Sequence, residues 1–174
     1  MLCGESQSGN DAASSETVAE IDARIHQVRT RYNLRVAVKV VKAPTVADLT
    51  WIGDLTFSAT VNHVSLTIDS AGVAGPSPVD SLAAALGSCM ATDVVHVLTK
   101  GRHPLRALRA HLVGHRAQED PHRFLRIDLH FTIEGGVPAA AVERAIALSR
   151  EKYCSVWHSM RQDIDFVVTF ELRD

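Results

Sequence analysis

Two of the three cysteines in this 174-residue chain are associated with apolar segments, and a pair of thiols can carry out redox chemistry. Cys89 lies within "ALGSCMATDVV", and Cys154 follows a second apolar segment in "EKYCSV". If both segments are helices that pack together, the thiols can meet, and in a reducing compartment such a pair suggests a reversible disulfide. Buried cysteine is also a common core residue, so a purely structural role for Cys89 is the simpler alternative.

The composition restricts the classes of function. The formal net charge is −2 and 46% of the residues are hydrophobic, which favours a folded domain without a basic surface for nucleic acid. No apolar stretch approaches the roughly 20 residues of a membrane span, and we expect no signal peptide. Three scattered cysteines are too few for a disulfide scaffold. We therefore expect a cytoplasmic protein with reduced thiols.

The chain divides into three parts. Residues 1–14 are small and polar and are predicted to be a disordered tail. Residues 15–33 have apolar side chains at spacings of three and four, which predicts an additional N-terminal helix. That helix either packs on the body of the fold or crosses an oligomer interface. Residues 34–174 are predicted to form the main domain.

Alternating apolar and polar residues predict antiparallel, half-buried strands on both sides of the first apolar helix. The segments are "LRVAVKVVK", "TWIGDLTFSAT" and "HVSLTID" before the helix, and "LRALRAHLVGHRA", "FLRIDLHFTIEG" and "DIDFVVTFELRD" after it. One face of the fifth segment is expected to carry Leu125, Ile127, Leu129, Phe131 and Ile133. The order strands, helix, strands, helix, strand favours an α+β architecture.

The helix that contains Cys89 has clear end signals. Ser77 can cap its start, Pro78 suits the first helical position, and Asp80 can reach back to the cap. Gly101 is a natural stop. Helical spacing predicts one core-facing stripe on this helix, made of Leu82, Leu86, Cys89, Asp93 and Val97.

Both cysteine segments resemble those of a known family. "GPSPVDSLAAALGSCMATDVVHVLTKGR" resembles the cysteine helix of the OsmC/Ohr family of thiol-dependent peroxidases, and "AIALSREKYCSVW" resembles that family's second-cysteine segment. The separation of 65 positions between Cys89 and Cys154 also suits the family. The resemblance extends over about residues 35–172, and "LGSC" and "KYCSV" are most similar to the YhfA-like branch.

The resemblance implies a fold and a reaction. The expected fold is an intertwined homodimer, with two antiparallel sheets around two central helices and active sites at the interface. The expected activity is reduction of organic hydroperoxides, in which Cys89 becomes a sulfenic acid and Cys154 condenses with it to form a disulfide. A lipoyl or thioredoxin-like dithiol would restore the thiols. We expect no cofactor and no metal.

A peroxidatic thiol must be ionised, and four residues are candidates for tuning it. The characterised peroxidases of the family resemble one another in using an arginine from an early strand and a glutamate at the start of the cysteine helix. Here the nearest counterparts are Arg35 or Lys42 and Asp80, although Asp80 is half a helical turn away from Cys89 and suits a capping role. His96 lies seven residues beyond Cys89, either in line with the thiol or simply on the surface.

Several alternatives remain open. Asp93 lies one turn after Cys89, and a carboxylate there would oppose ionisation of the thiol unless it is paired. Three strand histidines, His111, His115 and His130, invite a zinc hypothesis, but a solvent-facing role is simpler. The chain can also be a non-catalytic dimer that binds an apolar small molecule or senses redox state, or a structural dimer whose N-terminal helix recruits a partner.

Overall fold

The computed structural model describes residue 23 and residues 43–174. Ala23 is helical. The predicted tail, the rest of the predicted helix at 15–33 and the predicted strand "LRVAVKVVK" lie outside the described residues. Two candidate tuning residues, Arg35 and Lys42, lie outside them as well.

Residues 45–174 form one unit in which strands and helices alternate as expected for an α+β fold. The elements are β1 (Ala47–Gly53), β2 (Thr56–Val61), β3 (Val64–Asp69), α1 (Pro78–Lys100), β4 (Ala107–Arg116), β5 (Phe124–Glu134), α2 (Ala139–Leu148), a π-helical turn (Ser149–Tyr153), α3 (Ser155–His158) and β6 (Asp165–Arg173).

The first sheet is an antiparallel meander in the order β1-β2-β3. The sequence predicted one strand over "TWIGDLTFSAT", but the structure folds this segment into a hairpin. Gly53 and Asp54 have φ values of 126° and 45°, and this left-handed backbone reverses the chain. The Trp51 indole N–H donates to the Asp54 carbonyl oxygen at 2.9 Å and closes the turn.

The second sheet has the order β4-β5-β6. β4 and β5 are antiparallel, whereas β6 is parallel to β5. The predicted pair of sheets is therefore present, but the expectation that both are entirely antiparallel is wrong. The segment from α2 to α3 carries the chain back along the sheet, which is the crossover that a parallel neighbour requires.

The predicted ends of α1 are confirmed. The Ser77 hydroxyl accepts from the Asp80 N–H at 3.2 Å, and the Asp80 carboxylate accepts from the Ser77 N–H at 3.3 Å, which completes a capping box. Pro78 is the first helical residue, and Gly101 follows the last.

The buried face of α1 is rotated slightly from the predicted stripe, so that a neighbouring row of side chains faces the core. Leu82 is 41% exposed and Cys89 is partly buried. The fully buried row consists of Leu86, Met90, Val94 and Leu98. These side chains lie four residues apart on one face, with the row of Cys89 and Asp93 beside it. We expected no apolar stretch long enough to span a membrane, but α1 is long and apolar enough by length and composition. One face of this helix packs in the hydrophobic core.

The apolar face of β5 is confirmed from its fourth residue onwards but not at its start. Ile127, Leu129, Phe131 and Ile133 are almost completely buried. Leu125, however, is 45% exposed, and Phe124 is buried in its place. A bulge explains the switch: β4 residues His115 and Arg116 pair with Arg126 and Phe124, so Leu125 has no opposite residue.

Candidate active site: the cysteine pair

The two cysteines reach the site on segments of different geometry. Cys89 lies on regular α1. α2 ends at Leu148, and the next five residues form a π-helical turn in which the Cys154 N–H donates to the Ser149 carbonyl oxygen at 2.9 Å. Cys154 then takes an extended backbone conformation and caps α3, with its sulfur accepting from the Trp157 N–H at 3.4 Å. Such π-helical turns are frequent at functional sites.

The structure brings both thiols together beside one carboxylate. The Cys89 sulfur, the Cys154 sulfur and a carboxylate oxygen of Asp93 all lie within 4.8 Å of one another. Both cysteines are free thiols. A disulfide has an S–S distance of about 2.05 Å, so the two sulfurs must move closer together before they can bond.

The two thiols differ in environment. Cys154 is fully buried, whereas Cys89 is partly exposed. Burial raises the pKa of Cys154 to about 11; the Trp157 N–H opposes this shift, and the neighbouring Cys89 and Asp93 add to it. Cys154 is therefore protonated at neutral pH, and the accessible thiol on α1 is the one that a molecule from solution meets first.

Asp93 is held in place by a buried hydroxyl. The Ser149 hydroxyl donates to an Asp93 carboxylate oxygen at 2.7 Å, and Ser149 is completely buried. The sequence placed Asp93 on the helical row of Cys89 but did not single out Ser149. In an α-helix the backbone hydrogen bond joins residues four apart, so the α-helical pattern does not link Ser149 to Cys154. The link depends on the π-helical turn, in which the bond joins residues five apart.

The two described residues that were predicted to tune the thiol are Asp80 and His96. Asp80 lies away from the thiols, and His96 lines a neighbouring cavity. Asp80 forms the cap of α1, about 13 Å along the helix axis from Cys89. His96 lies beside a cavity of about 780 Å³ between α1 and α2, whose wall also includes Asp93. The cationic or polar side chains of this wall are His96, Lys100, His103, Arg144 and Tyr153.

The three strand histidines considered as an alternative zinc site do not form a metal cluster within residues 43–174. His111 and His130 are opposite each other on β4 and β5, and His130 interacts with Thr169 at 2.8 Å. His115 pairs with Asp128 at 3.1 Å. Among the described residues, the donors that do converge are those of Cys89, Asp93 and Cys154, and both thiols would have to lose their protons to bind a metal ion.

Comparison with known proteins identifies the family. Residues 69–169, more than half of the chain, match the family model described as OsmC-like protein. The chain is a member of the OsmC-like family. Within this family it is 36% identical over 129 residues to Protein YhfA of Escherichia coli strain K12, with 72% of this chain and 96% of that protein covered. This similarity places it in the YhfA-like branch, as the two cysteine segments predicted.

Solved structures share the OsmC-like fold. A hypothetical protein from Aquifex aeolicus VF5 matches with a TM-score of 0.71 and 26% identity over 76% of this chain and 98% of that one. An organic hydroperoxide resistance protein OsmC from Legionella pneumophila matches with a TM-score of 0.58 and 18% identity over 76% of this chain and 99% of that one. At 18% identity the second match shows the fold alone.

Proposed function

We propose that this OsmC-like protein reduces organic hydroperoxides with Cys89 as the attacking thiol and Cys154 as the resolving thiol. The observation that carries the proposal is the placement of an accessible and a buried thiol within 4.8 Å of each other. The chain belongs to the OsmC-like family, and some of its structural neighbours are named for organic hydroperoxide resistance. Both observations support the same chemistry.

The reaction proceeds in three balanced steps. The Cys89 thiolate attacks one peroxide oxygen, the O–O bond breaks, and the departing alkoxide takes a proton to become an alcohol. Cys154 then attacks the Cys89 sulfenic acid, which forms the disulfide and releases water. An external dithiol of the lipoyl or thioredoxin-like class reduces the disulfide and is itself oxidised. A cytoplasmic location, where thiols are kept reduced, is part of the proposal.

A homodimer is part of the proposal. The sheet of β1–β3 and the turn between β1 and β2 carry large apolar side chains that one chain leaves more than half exposed, namely Leu49, Trp51, Ile52, Leu55 and Val64. So many exposed apolar side chains on one small sheet are typical of a surface that a partner covers. A second copy of the chain, as in an intertwined dimer, is the partner that this family favours.

Single-cysteine variants test the reaction. We expect Cys89→Ser to abolish consumption of cumene hydroperoxide in the presence of a dithiol, because no attacking thiol remains. Cys154→Ser is expected to give one turnover per subunit without dithiol and to stop at the sulfenic acid. Both are measured by peroxide assay and by intact mass.

Cys3→Ser is the matched control, since it makes the same chemical change outside the pair. It is expected to turn over like the unmodified protein. Full consumption by Cys89→Ser would contradict the proposal. A reduced, unmodified protein that leaves the peroxide intact would instead favour the non-catalytic dimer that binds a small molecule.

A further inference from the structure

We propose that Asp93 transfers the proton in the disulfide-forming step: it accepts the proton of the Cys154 thiol and delivers it to the hydroxyl that leaves Cys89. This inference rests on the proposed peroxidase function. It concerns the second step of that reaction, after the peroxide has already been reduced.

The position of Asp93 suits a group that serves both sulfurs. Asp93 lies one helical turn after Cys89, so both side chains extend from the same side of α1. A carboxylate oxygen lies within 4.8 Å of both sulfurs. A hydrogen bond needs a closer approach, which a side-chain rotation or one bridging water would supply.

The second step needs a proton acceptor because of the state of Cys154. With a pKa of about 11, roughly one Cys154 in ten thousand is ionised at pH 7. The thiolate is the nucleophile, so an unassisted attack would depend on this small fraction. The side chain is also completely buried, which keeps bulk water from taking the proton freely. A carboxylate next to the sulfur can take it as the S–S bond forms.

The bonds and protons of the disulfide-forming step balance with Asp93 as the group that carries the proton. The Cys154 S–H bond breaks and its proton moves to the carboxylate. The S–S bond forms, the S–O bond of the Cys89 sulfenic acid breaks, and the departing hydroxide takes the proton from Asp93 to become water. Asp93 ends as the carboxylate it was at the start, and no further oxidant or reductant is required.

Ser149 links Asp93 to Cys154. Its buried hydroxyl donates to one Asp93 oxygen at 2.7 Å, while its carbonyl oxygen accepts from the Cys154 N–H at 2.9 Å. The π-helical turn makes both contacts possible from one residue. Ser149 is therefore a positioning residue that fixes the carboxylate relative to the resolving thiol.

Time-resolved oxidation of the reduced full chain tests the inference. One equivalent of cumene hydroperoxide is added, sulfenic acid is trapped with dimedone, and the Cys89–Cys154 disulfide is quantified by non-reducing peptide mapping. In Asp93→Asn we expect sulfenic acid to accumulate and disulfide formation to slow about 100-fold. Ser149→Ala is expected to slow the same step by a smaller factor.

Asp165→Asn is the matched control, since it also removes one carboxylate, but from the exposed Arg126–Asp165 ion pair. It is expected to match the unmodified protein. A second measurement separates proton transfer from a structural role: the disulfide equilibrium with dithiothreitol should stay within about threefold in Asp93→Asn, because a proton acceptor changes the rate and not the end point.

Three results would overturn the inference. Asp93→Asn could form the disulfide as fast as the unmodified protein, could shift the dithiothreitol equilibrium as much as the rate, or could fail to form sulfenic acid. In each of these cases the unmodified protein still cycles, and the proposed function stands. If the unmodified protein itself forms neither sulfenic acid nor disulfide, the proposed function fails, and the inference fails with it.

Discussion

The two segments that carry the cysteines are built differently. α1 is a regular helix of 23 residues with a complete capping box, and Cys89 lies on its partly exposed flank. The second segment leaves α-helical geometry at Ser149, and its π-helical turn places Cys154 in the core. Regular helix geometry thus presents one thiol to incoming molecules, and an irregular turn withdraws the other while keeping it within reach.

The largest expected effect is a difference in alkylation between the two thiols. At pH 8 we expect iodoacetamide to modify Cys89 at least about 100-fold faster than Cys154, because Cys154 is buried and its raised pKa keeps it protonated. Between pH 7.5 and 9 the slow reaction of Cys154 should rise about tenfold per pH unit, since its thiolate fraction does so below the pKa. Peptide mapping separates both sites from Cys3. Equal alkylation rates at Cys89 and Cys154 would contradict the proposed difference between an accessible and a buried thiol.

Removing the packing around the second segment should reduce that contrast. Trp157 is 5% exposed, its ring centroid lies 4.6 Å from that of Phe166, and the Arg150 guanidinium lies over both rings. Trp157→Ala should lower the free energy of unfolding by about 3–5 kcal/mol, because a large buried side chain is lost. It should also speed up the alkylation of Cys154.

Urea unfolding and peptide mapping check the two effects of Trp157→Ala. Trp157→Phe is the control that retains an aromatic ring, and we expect it to keep Cys154 slow to react. An alkylation rate of Cys154 that stays unchanged in a folded Trp157→Ala protein would show that this packing does not shield the thiol.

The smallest expected effect is at the start of the regular helix. Ser77→Ala removes the hydroxyl that accepts from the Asp80 N–H and should destabilise the protein by about 1 kcal/mol. The alkylation rates of both cysteines should not change, because the cap is more than three turns from Cys89. Thermal unfolding followed by circular dichroism measures the first expectation. A change in the reactivity of Cys89 would show that the cap also tunes the thiol.

Features that depend on near neighbours in the chain could be predicted from the sequence. The capping box needs only Ser77 and Asp80, and the buried face of β5 follows from alternation between Ile127 and Ile133. The exposed position of Leu125 could not be predicted, because it depends on the register against β4. The parallel direction of β6 depends on the crossover that precedes it, which local alternation does not report.

In the candidate site, too, features set by neighbours in the chain were predicted and a contact between distant residues was missed. The cysteines were found from their segments and from the family resemblance, and Asp93 was placed correctly on the row of Cys89. Its partner Ser149 was missed, because the contact joins residues 56 positions apart through a turn that an α-helical pattern does not describe. The tuning role expected for Asp80 stays a prediction, and its observed contacts are those of a helix cap.

The most direct test of the central claim is the mass spectrum of the fully reduced protein after one equivalent of organic hydroperoxide, followed by non-reducing digestion. We expect a disulfide between Cys89 and Cys154 of the same chain, with Cys3 still a thiol. A product oxidised only at Cys3, a disulfide that leaves out either Cys89 or Cys154, or a pair that stays reduced would contradict it.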